Sequence, residues 1–218
     1  MTDRPVIVLG VGGHAAVVFD LLHIVGKTVK GALVRIGAGL ESPLSNLAVL
    51  GDDSALSEYM PVDVNIANGI GATRNTEARR SAFSNAQALG FDFPALVHPS
   101  AIVAENVELG PGVQVMAGAI IQTGARIKAN TIVNTGAQID HDCLVGPHCH
   151  ISPGAVLSGA IVIEANVIIG TGARLIQEVK VGADSHVGAG ATVTGHIPKC
   201  SVVRAPQSTV RPASERSK

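Results

Sequence analysis

Tryptophan is absent from this 218-residue sequence, tyrosine occurs once and phenylalanine four times. A core must therefore be built from Val, Ile, Leu and Ala, which suits a solenoid better than a globule stacked on aromatic rings. Charge of either sign is also scarce in excess. A formal net charge of −1 offers no electrostatic case for nucleic acid or an anionic membrane surface as partner. No apolar run is long enough to span a bilayer, and Met1-Thr2-Asp3-Arg4-Pro5 leads straight into a strand-like segment without a secretory hydrophobic region. Three cysteines in such a chain are expected to be reduced thiols in a cytoplasm.

What is present is a repeat. Seventeen consecutive hexapeptides from Val97 to Pro198 read in one register, led by residues such as Val97, Leu109, Ile121, Val133, Val145, Leu157, Ile169, Val181 and Val193. Every lead residue is aliphatic. Three places later the chain prefers Gly, Asn or Asp (Gly112, Gly124, Asn130, Asp142, Asn166), which tolerate a left-handed backbone. The next position is small or β-branched (Ala119, Ala137, Cys143, Cys149, Ala173), as the inside of a tight corner requires. One buried aliphatic and one sharp turn every six residues describe short strands joined at corners, coiled into a parallel β-helix.

About 95 residues precede the repeat, enough for a small second domain. Val6–Leu9 reads as a buried strand, Gly10-Val11-Gly12-Gly13-His14 as a glycine turn, and Ala16–Leu22 as a helix ended by Gly26. Strand, glycine turn and helix open a nucleotide-binding βαβ unit, with phosphate expected at the helix N-terminus. Further strands are expected at 29–34, 47–50 and 62–67, and helices at 53–58 and 73–89, giving an α/β domain with a small, mainly parallel sheet. The expected division is 1–93 for this domain, ending in a linker at 90–93, and 94–218 for the β-helix with its basic tail. Asp52 and Asp53 read as a helix cap.

Reactive side chains concentrate in Asp140-His141-Asp142-Cys143 and His148-Cys149-His150. The register puts both cysteines inward, as small hydrophobes. His141, His148 and His150 fall at turn or outward positions, where imidazole can accept a proton near neutral pH. His98, His186 and His196 read as surface residues. Three hexads make one triangular coil, so residues 18 apart stack, and Gly159 is expected beside His141. A base and an accessible backbone N–H side by side suit acyl transfer, the amide stabilising an oxyanion. Successive hexads face different sides, so the histidines do not obviously converge on a metal.

Gly10–His14, Asn68-Gly69 with Arg74, His98-Pro99-Ser100-Ala101, and above all Asn134-Thr135 followed by Ile139–Cys143 and His150-Ile151-Ser152-Pro153-Gly154 make the chain resemble the sugar-nucleotide N-acetyltransferases of the left-handed β-helix superfamily, which include sialic acid O-acetyltransferase-like proteins. The resemblance covers nearly the whole chain. It implies an acetyl-CoA-dependent enzyme with no metal, working as a homotrimer in the cytoplasm. The acceptor it implies is a nucleotide-linked 4-amino-4,6-dideoxy sugar, GDP-perosamine first, used for the O-antigen of lipopolysaccharide or another surface glycan. By position it implies His141 as general base, oriented by Asp142, with the Gly159 amide as oxyanion donor. His150, Gly159, Gly172, Ala173 and Arg204 fall where acetyl-CoA is held, and Gly12, Gly13, His14, Asn68 and Gly69 where the sugar nucleotide is held. Two stretches depart from the pattern. The segment 31–36 carries Arg35 and lacks the acidic pair of relatives, and Arg204-Ala205-Pro206-Gln207 replaces a Gly-x-Pro-Ala. Rival readings are an O-acetyltransferase, a zinc-dependent hydratase, and a non-catalytic sugar-nucleotide-binding protein.

Overall fold

The computed structural model describes residues 4–35, 47–72 and 75–206. Val6–Leu9 (β1), Val29–Val34 (β2), Val49–Asp52 (β3) and Asn65–Asn68 (β4) form a wholly parallel sheet in the order β3-β2-β1-β4. The strands at 49–52 and 65–68 sit two or three residues beyond their expected starts. Helix α1 spans Gly13–Ile24 and α2 spans Glu77–Ala88, and the segment Asp53–Glu58 is a 3-10 helix. The expected start of α2 at Thr73, with Arg74, lies outside the described residues.

Local chemistry explains the boundaries. Asp52 caps the 3-10 helix by accepting from the Ser54 amide at 2.9 Å, as its cap reading requires. Gly26, at φ +70°, ends α1 with its amide bonded to His23 O and the next amide, from Lys27, to Leu22 O, a closing pattern that needs a left-handed residue. Helix α1 begins at Gly13 rather than Ala16, because Gly12 supplies an extended cap. His14 is thereby drawn into the first helical turn.

The hexads coil as expected. Two-residue strands stack in three parallel sheets, with partners 18 residues apart, such as Ile127 with Val145 and Ile139 with Leu157. Lead residues from Val115 to Val193 are all buried. Residue identity matters less at the corners than the sequence implies: His148 (φ 60°), Ala160 (φ 55°) and Glu178 (φ 63°) adopt the left-handed conformation alongside the Gly, Asn and Asp residues. Each corner amide bonds to the coil below, Ala160 N to His141 O at 2.8 Å for example, and this ladder holds the unfavourable conformation in place.

The single register is corrected at its end. Val181 pairs with Ile197 and Val187 with Val203, so the last coil holds sixteen residues where the others hold eighteen. The His196 ring fills the gap, its Nδ1 accepting from the Lys180 amide at 3.1 Å.

The N-terminal sheet is covered on one side by α1 and on the other by α2 and the 3-10 helix. Val6, Val8, Val18 and Leu22 share a core with Leu96, Met116 and Ile132 of the solenoid. On the opposite side Ile7, Leu33, Ile66 and Phe83 pack with Phe91 and Phe93. The 90–93 stretch is therefore anchored in the core through its two phenylalanines, 3% and 5% exposed, rather than being a free linker. The outward residues of one solenoid face, Leu96, Gln114, Ile132, His150 and Ile168, are all buried beneath this domain.

Candidate active site

A buried polar hub joins the two halves. Arg79, fully buried, donates to Asn68 O (2.9 Å), Ile70 O (2.8 Å), Asn130 O (3.1 Å) and Gln114 Oε1 (3.2 Å). Burial lowers its pKa to about 9, which still leaves it charged at neutral pH, and carbonyl dipoles rather than a carboxylate stabilise the cation. Gln114 also accepts from His14 Nε2 at 2.8 Å. His14 is thus pinned to the solenoid. Burial first, and then Arg79, lower its pKa to about 4, so the ring is neutral.

This hub corrects three expectations. Asn68, expected to meet the sugar nucleotide, spends its amide on Arg79 O, Asn130 Oδ1 and the Ile70 amide and is 1% exposed. Gly69 is buried as a packing residue, since a Cβ there would lie 2.8 Å from both Ala15 Cβ and Val8 Cγ1. His150, expected to face outward, is 7% exposed; its Nδ1–H donates to Ala72 O and its Nε2 accepts from Asn134 Nδ2 at 2.9 Å. Both ring nitrogens are spent, so no donor remains for a cofactor. His148 likewise contacts Asn130 through Nδ1 and turns its ring edge onto Phe83, 5.7 Å between centroids. Among the expected cofactor contacts, Ala173 points into the solenoid core at 0% exposure, whereas Gly172 stands at a corner and Arg204 is exposed.

His141 is different. It lies at the corner farthest from the covered face, and its side chain is 46% exposed. Nδ1 donates to Asp142 Oδ2 at 2.9 Å, and the Asp140 carboxylate accepts from the His141 amide at 2.7 Å. The bond to Asp142 raises the imidazole pKa, with the charges of Asp140 and Asp142 adding to it. Nε2 is left open. It faces Gly159 so closely that a Cβ added there would sit 2.5 Å from it. Ser158 N and Ala160 N are bonded to the neighbouring coils, but among the described residues the Gly159 amide has no acceptor. A base nitrogen, an acid fixing its tautomer and an unused N–H thus share one corner.

The cysteines nearby are inert. Cys143 and Cys149 are 0% exposed, and burial pushes their thiols up to about 11 and about 12. Among the described residues no three His, Cys, Asp or Glu side chains converge as a metal-binding set.

At the C-terminal ends of the N-terminal strands lie residues the sequence reading passed over as ligand contacts. The chain runs β1 to β2 to β3 in one direction and then crosses to β4. The order reverses between β1 and β4, where ligands bind in open parallel sheets. Gly12 and Gly13 are exposed there at the start of α1, with nothing within 4 Å of where a Cβ would be. A cavity of about 410 Å³ opens alongside, lined by Arg35, Asp53, Ile70 and the outer face of α2. The signal for Arg35 was its place directly after β2.

The solenoid and its corner site define a hexapeptide-repeat transferase: residues 124–159 match the family described as bacterial transferase hexapeptide (six repeats). Solved structures narrow the class. The acetyltransferase domain of PglB from Neisseria gonorrhoeae FA1090 is 38% identical, with a TM-score of 0.82 over 89% of this chain and 93% of that one, and has also been solved with acetyl coenzyme A. PerB from Caulobacter crescentus, solved with CoA and GDP-perosamine, is 36% identical with a TM-score of 0.83 over 91% and 92%. WeeI from Acinetobacter baumannii AYE shares the fold at 23% identity and a TM-score of 0.81. No curated protein matches the sequence. This chain belongs to the left-handed β-helix sugar N-acetyltransferase family.

Proposed function

We propose that the protein moves the acetyl group of acetyl-CoA onto the 4-amino group of a nucleotide-linked 4-amino-4,6-dideoxy sugar, with GDP-perosamine the first candidate, in the cytoplasmic synthesis of O-antigen or another surface glycan. The observation that carries this reading is the open Nε2 of His141 beside the unbonded Gly159 amide. The sugar amine attacks the thioester carbonyl, and His141 takes its proton while Asp142 steadies the imidazolium. The Gly159 N–H donates to the oxyanion, and the tetrahedral intermediate collapses with release of CoA thiolate, which takes up a proton. No acyl-enzyme is needed, because the thioester is already activated.

Residues 1–93 hold the sugar nucleotide in this reading, with Gly12 and Gly13 at its phosphates, and residues 94–218 carry the chemistry. His14 can offer only Nδ1, since Nε2–H is engaged, and that nitrogen accepts, so it suits a sugar hydroxyl rather than a phosphate oxygen. Gly172 and Arg204 remain as acetyl-CoA contacts, the latter toward a phosphate; the side chains of Ala173 and His150 are not available for that role.

Geometry supports a shared site. His141 stands opposite the face that the N-terminal domain covers, across a prism with six residues to a side, on the order of 15 Å at about 3.3 Å per residue. A sugar held in the crevice of one copy meets the His141 of another, and a triangular prism supplies flat faces for a homotrimer. The test is thiol release from acetyl-CoA with GDP-, UDP- and dTDP-linked 4-amino sugars, and mass analysis of the product. An N-acetylated sugar supports the reading; hydrolysis alone, or acetylation of a hydroxyl, overturns it.

A further inference from the structure

The exposed corner carries an inference that rests on the proposed base role of His141 and deepens it. His141 and Asp142 lie between two glycines, Gly159 one coil above and Gly124 one coil below, each 18 residues away in the stacking register. Gly159 faces the imidazole. Gly124 faces the carboxylate: a Cβ added there would overlap Asp142 Oδ1 and lie 3.4 Å from Cγ.

The backbone alone does not require glycine at 124. Gly124 has φ +75°, but Asp142, Ala160 and Glu178 stand in the same corner column with φ of 58°, 55° and 63° and keep their side chains. What sets Gly124 apart is the residue stacked on it. The Asp142 carboxylate folds over the glycine while its Oδ2 accepts from His141 Nδ1 at 2.9 Å. The floor beneath is fixed. Asn106 Oδ1 accepts from Thr123 Oγ1 at 2.8 Å and from the Gly124 amide at 3.3 Å, and Asp142 N donates to Thr123 O at 3.0 Å. The Asp142 side chain is 68% exposed, so burial does not hold it in this rotamer.

We infer that Gly124 is a positioning residue: by lacking a Cβ it seats the Asp142 carboxylate in the rotamer that orients His141. With alanine at 124, Oδ1 must retreat by about 1 Å to restore an ordinary contact, and the bond to Nδ1 is broken or misaligned. The released ring no longer has its Nδ1–H tautomer fixed, and Nε2 is less often aimed at the attacking amine. The neighbouring coils present Thr123 and Gly124 below and Ser158, Gly159 and Ala160 above, none of them charged. Among the described residues, Asp140 and Asp142 are therefore the charges that face the ring, and loss of the Asp142 contact lowers the imidazole pKa.

The experiment compares the native protein with Gly124→Ala, Asp142→Ala and the double variant, by thiol release and by NMR titration of isotopically labelled histidine. Gly118→Ala is the control. Gly118 has the same left-handed backbone (φ +67°) with nothing within 4 Å of a Cβ, so it reports the conformational cost alone. Gly124→Ala should lose about 10- to 100-fold in kcat and keep KM for acetyl-CoA within about threefold. Its His141 titration and the acid limb of kcat/KM should both move to lower pH. Gly118→Ala should lower the melting temperature to a similar degree and keep kcat within about threefold. Alanine at 142 gives the new methyl nothing to strike, so in the Asp142→Ala background Gly124→Ala should cost less than about threefold in kcat. The inference is overturned if Gly124→Ala leaves the His141 titration unmoved, if it costs as much in the Asp142→Ala background as in the native one, or if Gly118→Ala loses as much turnover. A shifted titration with undiminished thiol release contradicts the base role of His141 alone. Loss of release in His141→Asn, with Gly124→Ala indistinguishable from native, contradicts the positioning role alone.

Discussion

Replacing Gly159 by alanine separates catalysis from folding at this corner. The backbone there lies outside the left-handed region, so alanine is accommodated without strain. Its Cβ would sit 2.5 Å from His141 Nε2 and 2.6 Å from Cε1, against an ordinary carbon contact of about 3.5 Å. The ring must retreat by about 1 Å. Held to Asp142 by one 2.9 Å bond and half exposed, it can swing away at little cost to stability. In the proposed mechanism the retreat removes the base from the attacking amine, and misplacement by about 1 Å costs on the order of 10²-fold. Gly159→Ala should therefore lose about 10²-fold or more in kcat, measured as thiol release. Its melting temperature should stay the same or rise slightly, as substitution of a flexible residue allows. The Gly159 N–H survives the change, so the loss reports on crowding at Nε2. A variant that keeps turnover within about threefold of the native enzyme would refute the geometry.

Other expectations concern charge, thiols and assembly. Because Asp142 raises the His141 pKa and the base must be neutral, the acid limb of the kcat/KM profile should move to lower pH in Asp142→Asn; an unmoved limb would detach Asp142 from the titration. His14 is held near pKa 4 in the folded chain against 6.5 in the unfolded one, so its contribution is complete above pH 6.5. It should be lost as pH falls from 6.5 to about 4, a decline of about 3 kcal/mol that denaturant titration of the native protein shows and His14→Gln lacks. In the folded protein a thiol reagent should modify Cys200 and spare Cys143 and Cys149, whose burial keeps them protonated. Gly12→Asp places a carboxylate where the proposed reading puts phosphate, without a steric clash, and should be inactive, as should His141→Asn. Equal mixtures of the two, refolded together, should recover about a quarter of the native activity if each site draws on two copies; no recovery would place both halves in one chain.

The solenoid was legible because every coil repeats one demand, an aliphatic at the lead position and a small residue inside the corner. The pairing of His141 with Gly159 followed from the same arithmetic. His148, Ala160 and Glu178 hid their left-handed corners because the ladder between coils, not side-chain preference, imposes that backbone. The covered face left a trace that went unread: Leu96, Ile132 and Ile168 stand in one outward column, whereas Glu108, Arg126 and Lys180 mark an open one. Asn68 and His150 looked like ligand contacts because polarity alone does not tell a hub from a site. Arg79, which claims the carbonyls around Asn68, is bonded to groups 35 and 51 residues away, beyond any local pattern.

The most direct measurement is the rate of thiol release from acetyl-CoA with GDP-perosamine, comparing the native protein with His141→Asn. Asparagine preserves a polar side chain at the exposed corner but cannot accept the proton. The account predicts rapid release by the native protein and a loss of at least about 10²-fold in the variant, with folding unchanged. Equal rates in the two proteins would contradict it.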